Sequence, residues 1–394
     1  MNKFFKQFSK VRLLSLVIFS VLIILGTFYI GDIFPSKYSQ ADVEPKIKDN
    51  TLVENEIVPE VKIIPLDTVA YDLKLKQLAN YPIPKPVVAA PVVVKKTDTK
   101  STTGKIPIKP AVVKPIPVPK PNIWPVKAVY PNSGALLPFN RIIAYYGNFY
   151  SKKMGVLGEY PEVEMISKLN TEMEKWRQAD PTTPVIPAID YIAITAQGSA
   201  GSDGKYRFRM PDKQTDIAIA LAKKVNGIVI LDIQVGLSNL QTELPLLEKY
   251  LKMPEVHLAI DPEFSMKTGK APGKVIGTFD ATDVNYAAEY LAKLVKENNL
   301  TPKILIVHRF TEKMVTNYKN IKPLPEVQMV MDMDGWGGME KKKGTYKYFI
   351  QMQPVQFTGF KLFYKNDLQQ EKKRMMTPEE VMKLQPQPSF IQYQ

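Results

Sequence analysis

The chain has 394 residues, of which 45% are hydrophobic, with a formal charge of +14, two histidines and no cysteine. That length accommodates one large domain with accessories, or two domains, and the hydrophobic fraction suffices for a core. The absence of cysteine excludes disulfides, thiolate catalysis and Cys-ligated metals, and His257 and His308 alone are too few for a multi-histidine metal hydrolase.

The charge is unevenly placed. Residues 1–12 carry Lys3, Lys6, Lys10 and Arg12 with no acid, and residues 81–125 carry eight lysines against Asp98 alone. Residues 13–80 are slightly acidic, which leaves about +6 for residues 126–394, where acids and bases are interspersed. That pattern indicates a solvated surface and no nucleic-acid partner.

Residues 13–30 form an uncharged apolar stretch long enough to cross a bilayer as a helix. The basic residues before it place the N-terminus in the cytoplasm and the rest of the chain outside. A cleaved signal peptide is the rival reading, with Ser39-Gln40-Ala41 as its cleavage site, but that site lies well past the apolar run. The expected arrangement is a basic cytoplasmic segment over 1–12 and an uncleaved transmembrane signal-anchor over 13–33. Residues 34–137 read as an extended Pro/Lys-rich tether, because 17 of the chain's 33 prolines lie between 35 and 138. Alternating proline favours stiff polyproline II, and the lysines keep it solvated and attract anionic envelope polymers. A short local element is expected within 62–80.

From residue 138 to 394, short apolar runs alternate with helical patterns. The expected strands are 141–147, 185–194, 228–232, 256–261, 275–279, 303–308, 327–332 and 359–364. The expected helices are 162–179, 212–225, 239–252, 281–298 and 377–384, several of them opening on Asp, Asn or Thr caps. Near-continuous apolar strands alternating with helices indicate an α/β fold, a (β/α)8 TIM-like barrel, rather than an open sheet. No glycine-rich dinucleotide fingerprint follows any strand, so no cofactor is expected. Residues 262–274 leave no room for a full helix, so the fourth crossover is expected to be a loop.

Barrel chemistry collects at the C-terminal ends of the strands. Asp232, Asp261, His308 and Asp332 each end an apolar run there. Asp261 and Glu263 flank Pro262, and an extended backbone would aim both carboxyls the same way, where a shared field raises the pKa of one. Glycoside hydrolysis needs such a pair, a protonated acid and an ionised partner. The plainer alternative makes Asp261 a turn cap and Glu263 a solvated side chain. Asp232 and Asp332 are further candidates for nucleophile, base or orienting carboxylate, and Asp190, inside its strand, is a weaker one. His308, Asp334, Trp336, Tyr146 and Gln197 are candidate substrate contacts, with Trp336 either a sugar-stacking platform or a simple lid. Residues 197–204 are either a mobile lid or a long loop, and His257, near its strand's start, is expected to be a satisfied floor histidine. Acidic strand ends also suit divalent cations, but no ligand spacing for a metal is recognisable.

The Asp261-Pro262-Glu263 signature resembles that of chitinase-like and lysozyme-like glycoside hydrolases with barrel folds. The resemblance implies that Glu263 is the general acid and Asp261 orients the substrate's acetamido group. Val256 and Ala259 stand where the chitinase-like pattern has further acids. Residues 138–394 also resemble an uncharacterised bacterial envelope and lipoprotein-type family with a barrel-like pattern. The similarity is carried by Arg141-Ile142-Ile143-Ala144-Tyr145-Tyr146-Gly147, Ala196-Gln197-Gly198-Ser199, Leu258 to Phe264 and Met331 to Gly335. It implies a barrel at the bacterial cell membrane and no particular activity. Three readings therefore stand: a membrane-anchored glycosidase acting on an envelope polysaccharide such as that of the cell wall, a non-catalytic envelope binding or scaffold module, and a metal-dependent hydrolase using the same aspartates.

Overall fold

A computed structural model describes residues 65–81, 123–369 and 374–394. The apolar stretch expected to cross a membrane and most of the expected tether lie outside them. Eight parallel strands close into a barrel: β1 (Arg141–Gly147), β2 (Val185–Ala196), β3 (Ile228–Ile233), β4 (Val256–Ile260), β5 (Lys303–Arg309), β6 (Val327–Met333), β7 (Phe357–Leu362) and β8 (Phe390–Tyr393). Closure comes from β8, which pairs with both β7 and β1 (Ile142 opposite Phe390), while β1 also pairs with β2.

Seven of the expected strands appear with small shifts at their ends. The run at 275–279 is not a barrel strand. Its last residue joins Phe279–Asp280, a two-residue strand that pairs with Val315–Thr316 outside the barrel. The run's backbone donors are taken by the turn after β4: the Gly277 amide donates to the Glu263 carbonyl at 2.7 Å and the Thr278 amide to the Ser265 carbonyl at 3.1 Å. Residues 262–280 are instead a loop leading into a full crossover helix, so the fourth crossover is a normal one. The eighth strand, only four residues long and following Gln385-Pro386-Gln387-Pro388, escapes any search for long apolar runs.

Helices α1 (Thr68–Ala79), α2 (Glu162–Ala179), α3 (Asp212–Lys224), α4 (Ala281–Glu297) and α5 (Met339–Tyr346) are the longest. The helix expected at 239–252 is broken around Pro245 into three short turns, and that at 377–384 is the single turn Pro378–Val381. Pro245 accounts for the first change, since an interior proline removes a helical donor. Outward-facing strand residues pack on α2 to α5 in the larger apolar core, with Trp176 of α2 among its fully buried members. A second core fills the barrel itself: Ile142, Ala144, Ala188, Ile230, Ala259 and Ile306 are interior neighbours.

The local element anticipated within 62–80 is α1, which covers the barrel floor. Asp67 caps it by accepting from the Ala70 amide at 2.9 Å, and Asn80 ends it in a left-handed conformation. Its Tyr71 is buried against Leu137 and Phe139 beneath the interior core. Its Leu78 packs on Trp124, whose Nε1 donates to the Gln356 carbonyl at 2.6 Å. The Trp124 amide in turn donates to Tyr81 Oη at 3.1 Å, so residues 81 and 124 leave the floor side by side. Replacing Tyr71 by Ala should therefore cost about 3 kcal/mol, as expected for a buried aromatic. A shifted denaturant midpoint at constant slope checks this, and an unchanged midpoint would detach α1 from the core.

Candidate active site

Period-2 alternation sends every second strand residue into the barrel. One residue pair beyond the apolar interior, the inward position on each strand is polar: Tyr146 on β1, Asp190 on β2, Asp232 on β3, Asp261 just past β4, His308 on β5, Asp332 on β6, Lys361 on β7 and Gln392 on β8. All eight are buried. Gln234, Glu263 and Asp334 lie just above this layer, at the C-terminal mouth. Of the acids gathered here only Glu263 retains appreciable exposure.

His308 organises the layer. Its Nδ1 lies 3.2 Å from Asp332 Oδ2 and 3.4 Å from Asp334 Oδ2, and its Nε2 lies 3.4 Å from Asp232 Oδ2. Lys361 Nζ is 3.6 Å from Asp334 Oδ2 and 3.8 Å from the centre of the Tyr146 ring. Gln234 Nε2 donates to Tyr146 Oη (3.3 Å) and Asp261 Oδ2 (3.4 Å), and Gln392 Nε2 donates to Asp190 Oδ2 (2.5 Å).

Two cations face six carboxyl groups, and a buried unpaired carboxylate is costly, so the cluster retains protons. Burial, with Asp232 nearby, pushes Asp190 up to about 8, against the pull of His308, the Gln392 bond and Lys361. Burial raises Asp261 well above the ordinary carboxylate range. His308 opposes that rise, and the neighbouring acids Asp334, Glu263 and Asp232 add to it. Burial and Asp334 push Glu263 up to about 7, with Lys361 and His308 pulling the other way. Asp332 is raised by burial despite its bond to His308. Burial also disfavours the His308 imidazolium, but its contacts with Asp232 and Asp332 and the field of Asp334 together raise it well above its ordinary value.

Four polar atoms of this layer lack both a hydrogen-bond and an ion-pair partner: Asp190 Oδ1, Asp232 Oδ1, Asp332 Oδ1 and Gln392 Oε1. Each such atom costs about 1–3 kcal/mol when buried. Their convergence, with several shifted acids at the C-terminal mouth of a barrel, makes this layer the candidate site.

Asp232, Asp261, Glu263, His308, Asp332, Asp334 and Tyr146 therefore meet as anticipated. The reason Asp261 and Glu263 do so differs from the expected one. Pro262–Phe264 is a 3₁₀ turn, not extended chain, and Asp261 Oδ1 caps it by accepting from the Glu263 amide at 2.9 Å. Asp261 is thus both turn cap and cluster member. Trp336 stands apart, exposed, beneath Lys341 Nζ at 4.8 Å from its ring. Gln197 acts through its backbone, donating to the Tyr206 carbonyl at 2.8 Å. Its loop is strapped down, because Arg207 and Arg209 both grip buried Glu243 at 2.8 Å. His257 sits at the floor, accepting from the Ile304 amide at 3.0 Å, and burial holds it well below its ordinary pKa.

Sequence reasoning undervalued Asp190 and passed over Lys361, Gln392 and Gln234. The signal for Lys361 was present in Gly359-Phe360-Lys361, a basic residue on the inward face of an apolar run. Among the described residues no group of three or more Asp, Glu or His has a metal-binding arrangement. Comparison with protein-family models gives no match for this chain, and comparison with curated proteins gives none either.

Gly359 makes room for the layer: a Cβ there would lie 2.5 Å from Asp332 Oδ1 and 2.9 Å from Phe390. Gly359→Ala should destabilise the fold by about 1–3 kcal/mol through overpacking, read as a lowered denaturant midpoint. Protonation linkage supplies a second expectation. Asp190 and Glu263 titrate near 8 and 7 in the fold but near 4 when unfolded, so the folded state binds more protons between those values. Their contribution is complete below about pH 4 and is lost as pH rises through 7 and 8. His308, also raised, has the same sign. Melting temperature should fall from pH 5 to 9, and Asp190→Asn should flatten the slope; a steeper slope in that variant would refute the assignment.

Proposed function

We propose that residues 138–394 are a glycoside hydrolase head acting on an envelope polysaccharide, held outside a bacterial cell membrane by the 13–33 anchor and the tether. The observation that carries this reading is Glu263, the one partly exposed acid of the cluster, pushed up to about 7 beside acids that face two buried cations. Such a group is protonated often enough at neutral pH to serve as a general acid and acidic enough to give the proton up.

In this reading Glu263 protonates the glycosidic oxygen as the bond to the anomeric carbon breaks, and a water molecule then bonds to that carbon and returns a proton to the Glu263 carboxylate. Asp334, ion-paired to His308 and Lys361, supplies the negative charge that stabilises the developing oxocarbenium ion. Asp261, kept protonated by its burial, offers a hydrogen bond to a substrate carbonyl such as an acetamido group. Asp232 and Asp332 lie deeper and hold the His308 imidazolium in place. The floor attachment of α1 supports the topology as well, since the chain from the anchor reaches the barrel at the end opposite its mouth.

The burial of five of the six acids favours one competing reading, a binding module without turnover. The full-length chain in detergent, offered a glycan panel with and without divalent cations, separates the two. Glu263→Gln should lower kcat roughly 10²–10⁴-fold with binding retained, and wild-type kcat should fall as pH rises through about 7, where Glu263 loses its proton. Binding without turnover in either protein would establish the binding module, and turnover abolished by a chelator would establish a metal-dependent hydrolase.

A further inference from the structure

The mouth carries surface features that proton donation does not use. Fourteen large apolar side chains are exposed among the described residues. Five of them, Tyr150, Phe208, Ile276, Trp336 and Leu368, stand on the segments that follow β1, β2, β4, β6 and β7, all at the catalytic end. Their loops are fixed beside the site. Ile276 precedes Gly277, whose amide donates to the Glu263 carbonyl at 2.7 Å. Trp336 lies two residues beyond Asp334. Phe208 is held opposite Thr195 at the top of β2. Tyr150 is tied by its amide to Asn148 Oδ1 at 2.9 Å, directly after β1.

The same loops are basic. Lys152, Lys205, Lys270 and Lys274 are exposed and form no ion pair with the described residues, and Lys341 lies over the Trp336 ring. The nearby acids Glu159 and Asp203 are already bound to Lys365 and Arg207. A ring of aromatic faces and uncompensated ammonium groups thus surrounds an acidic centre. Around the wall, β1 and β6 are separated by β8 and β7, so at about 4.8 Å per strand step their loops lie farther apart than one sugar can bridge.

We propose that this rim is a multi-subsite cradle for an anionic polysaccharide. Its sugar faces pack on Tyr150, Phe208 and Trp336, and its carboxylate or phosphate groups meet the rim lysines while an uncharged linkage reaches Glu263. The placement follows from charge. An anionic group is repelled by the acidic centre and attracted by the rim, so the charged substituents stay outside the reacting position. The proposal rests on reading the mouth as a glycan site and adds the size and charge of the glycan.

The test uses the full-length Glu263→Gln chain in detergent with three fluorescent polymers of matched length: a neutral glucan, a uronic-acid polymer and a phosphodiester-linked glycan. At least one anionic polymer should bind roughly tenfold or more tightly than the neutral one, with an advantage that shrinks as salt rises. Adding Trp336→Ala should weaken binding roughly tenfold, and Lys270→Glu with Lys274→Glu should remove most of the salt dependence. All three positions are exposed, and an unchanged melting temperature confirms that the variants fold. Equal affinity for neutral and anionic polymers, or indifference to these substitutions, would overturn the cradle. Anionic binding without wild-type cleavage would uphold the cradle and defeat the hydrolase reading, whereas cleavage of short neutral oligosaccharides without polymer binding would do the reverse.

Discussion

The His308 imidazolium, set between Asp232 on one side and Asp332 with Asp334 on the other, is the contact on which the polar end of the barrel depends. Six carboxyl groups cannot be gathered in a dry interior without compensation. His308 and Lys361 neutralise part of the charge, and burial pushes Asp190, Asp261 and Glu263 toward their uncharged forms.

That layer is expensive, and the rest of the fold supplies the rigidity it needs. Below it an apolar interior reaches down to the floor, where Gln328 bonds both the amide and the carbonyl of Leu137. Around it, the helices bury the outward strand faces. At its rim, a second buried ion pair, Lys342 with Asp367 at 2.6 Å, fixes two chain segments at once. Lys342 Nζ donates to the Lys361 carbonyl at 2.7 Å, and Asp367 accepts from the amides of Gly337 and Phe363 at 3.0 Å. The backbone carrying Lys361 and the loop carrying Trp336 are therefore held by the same pair.

The two ends of the barrel differ in chemistry: helix α1 covers the floor, and the polar layer lies toward the C-terminal mouth. At the floor, α1 and Trp124 seal the interior and leave Val69, Leu73, Ile123, Val129 and Tyr130 exposed. At the mouth, aromatic and basic loops surround the acidic layer. Strand direction enforces this division, since in a parallel barrel all the strands end on one face.

The sequence by itself determined the architecture and the place to look. Strands buried on both faces read as short apolar runs, and helices read by their own period; both signals are local, so they survive without knowledge of the fold. The acids at the ends of the runs 228–232, 256–261 and 327–332 were legible for the same reason. What only the tertiary structure decided is which groups meet. Lys361 and Gln392 joined the layer because β8, four residues long, closes the barrel by pairing with β7 on one side and β1 on the other. Asp190 joined because β2 runs to twelve residues and its register sets Asp190 opposite Tyr146 of β1, so the polar layer crosses it mid-strand. Strand stagger is a long-range property, fixed by closure rather than by any segment's composition. The raised pKa of Glu263 has the same cause: it is an ordinary glutamate in the sequence, and only burial and Asp334 push it up to about 7.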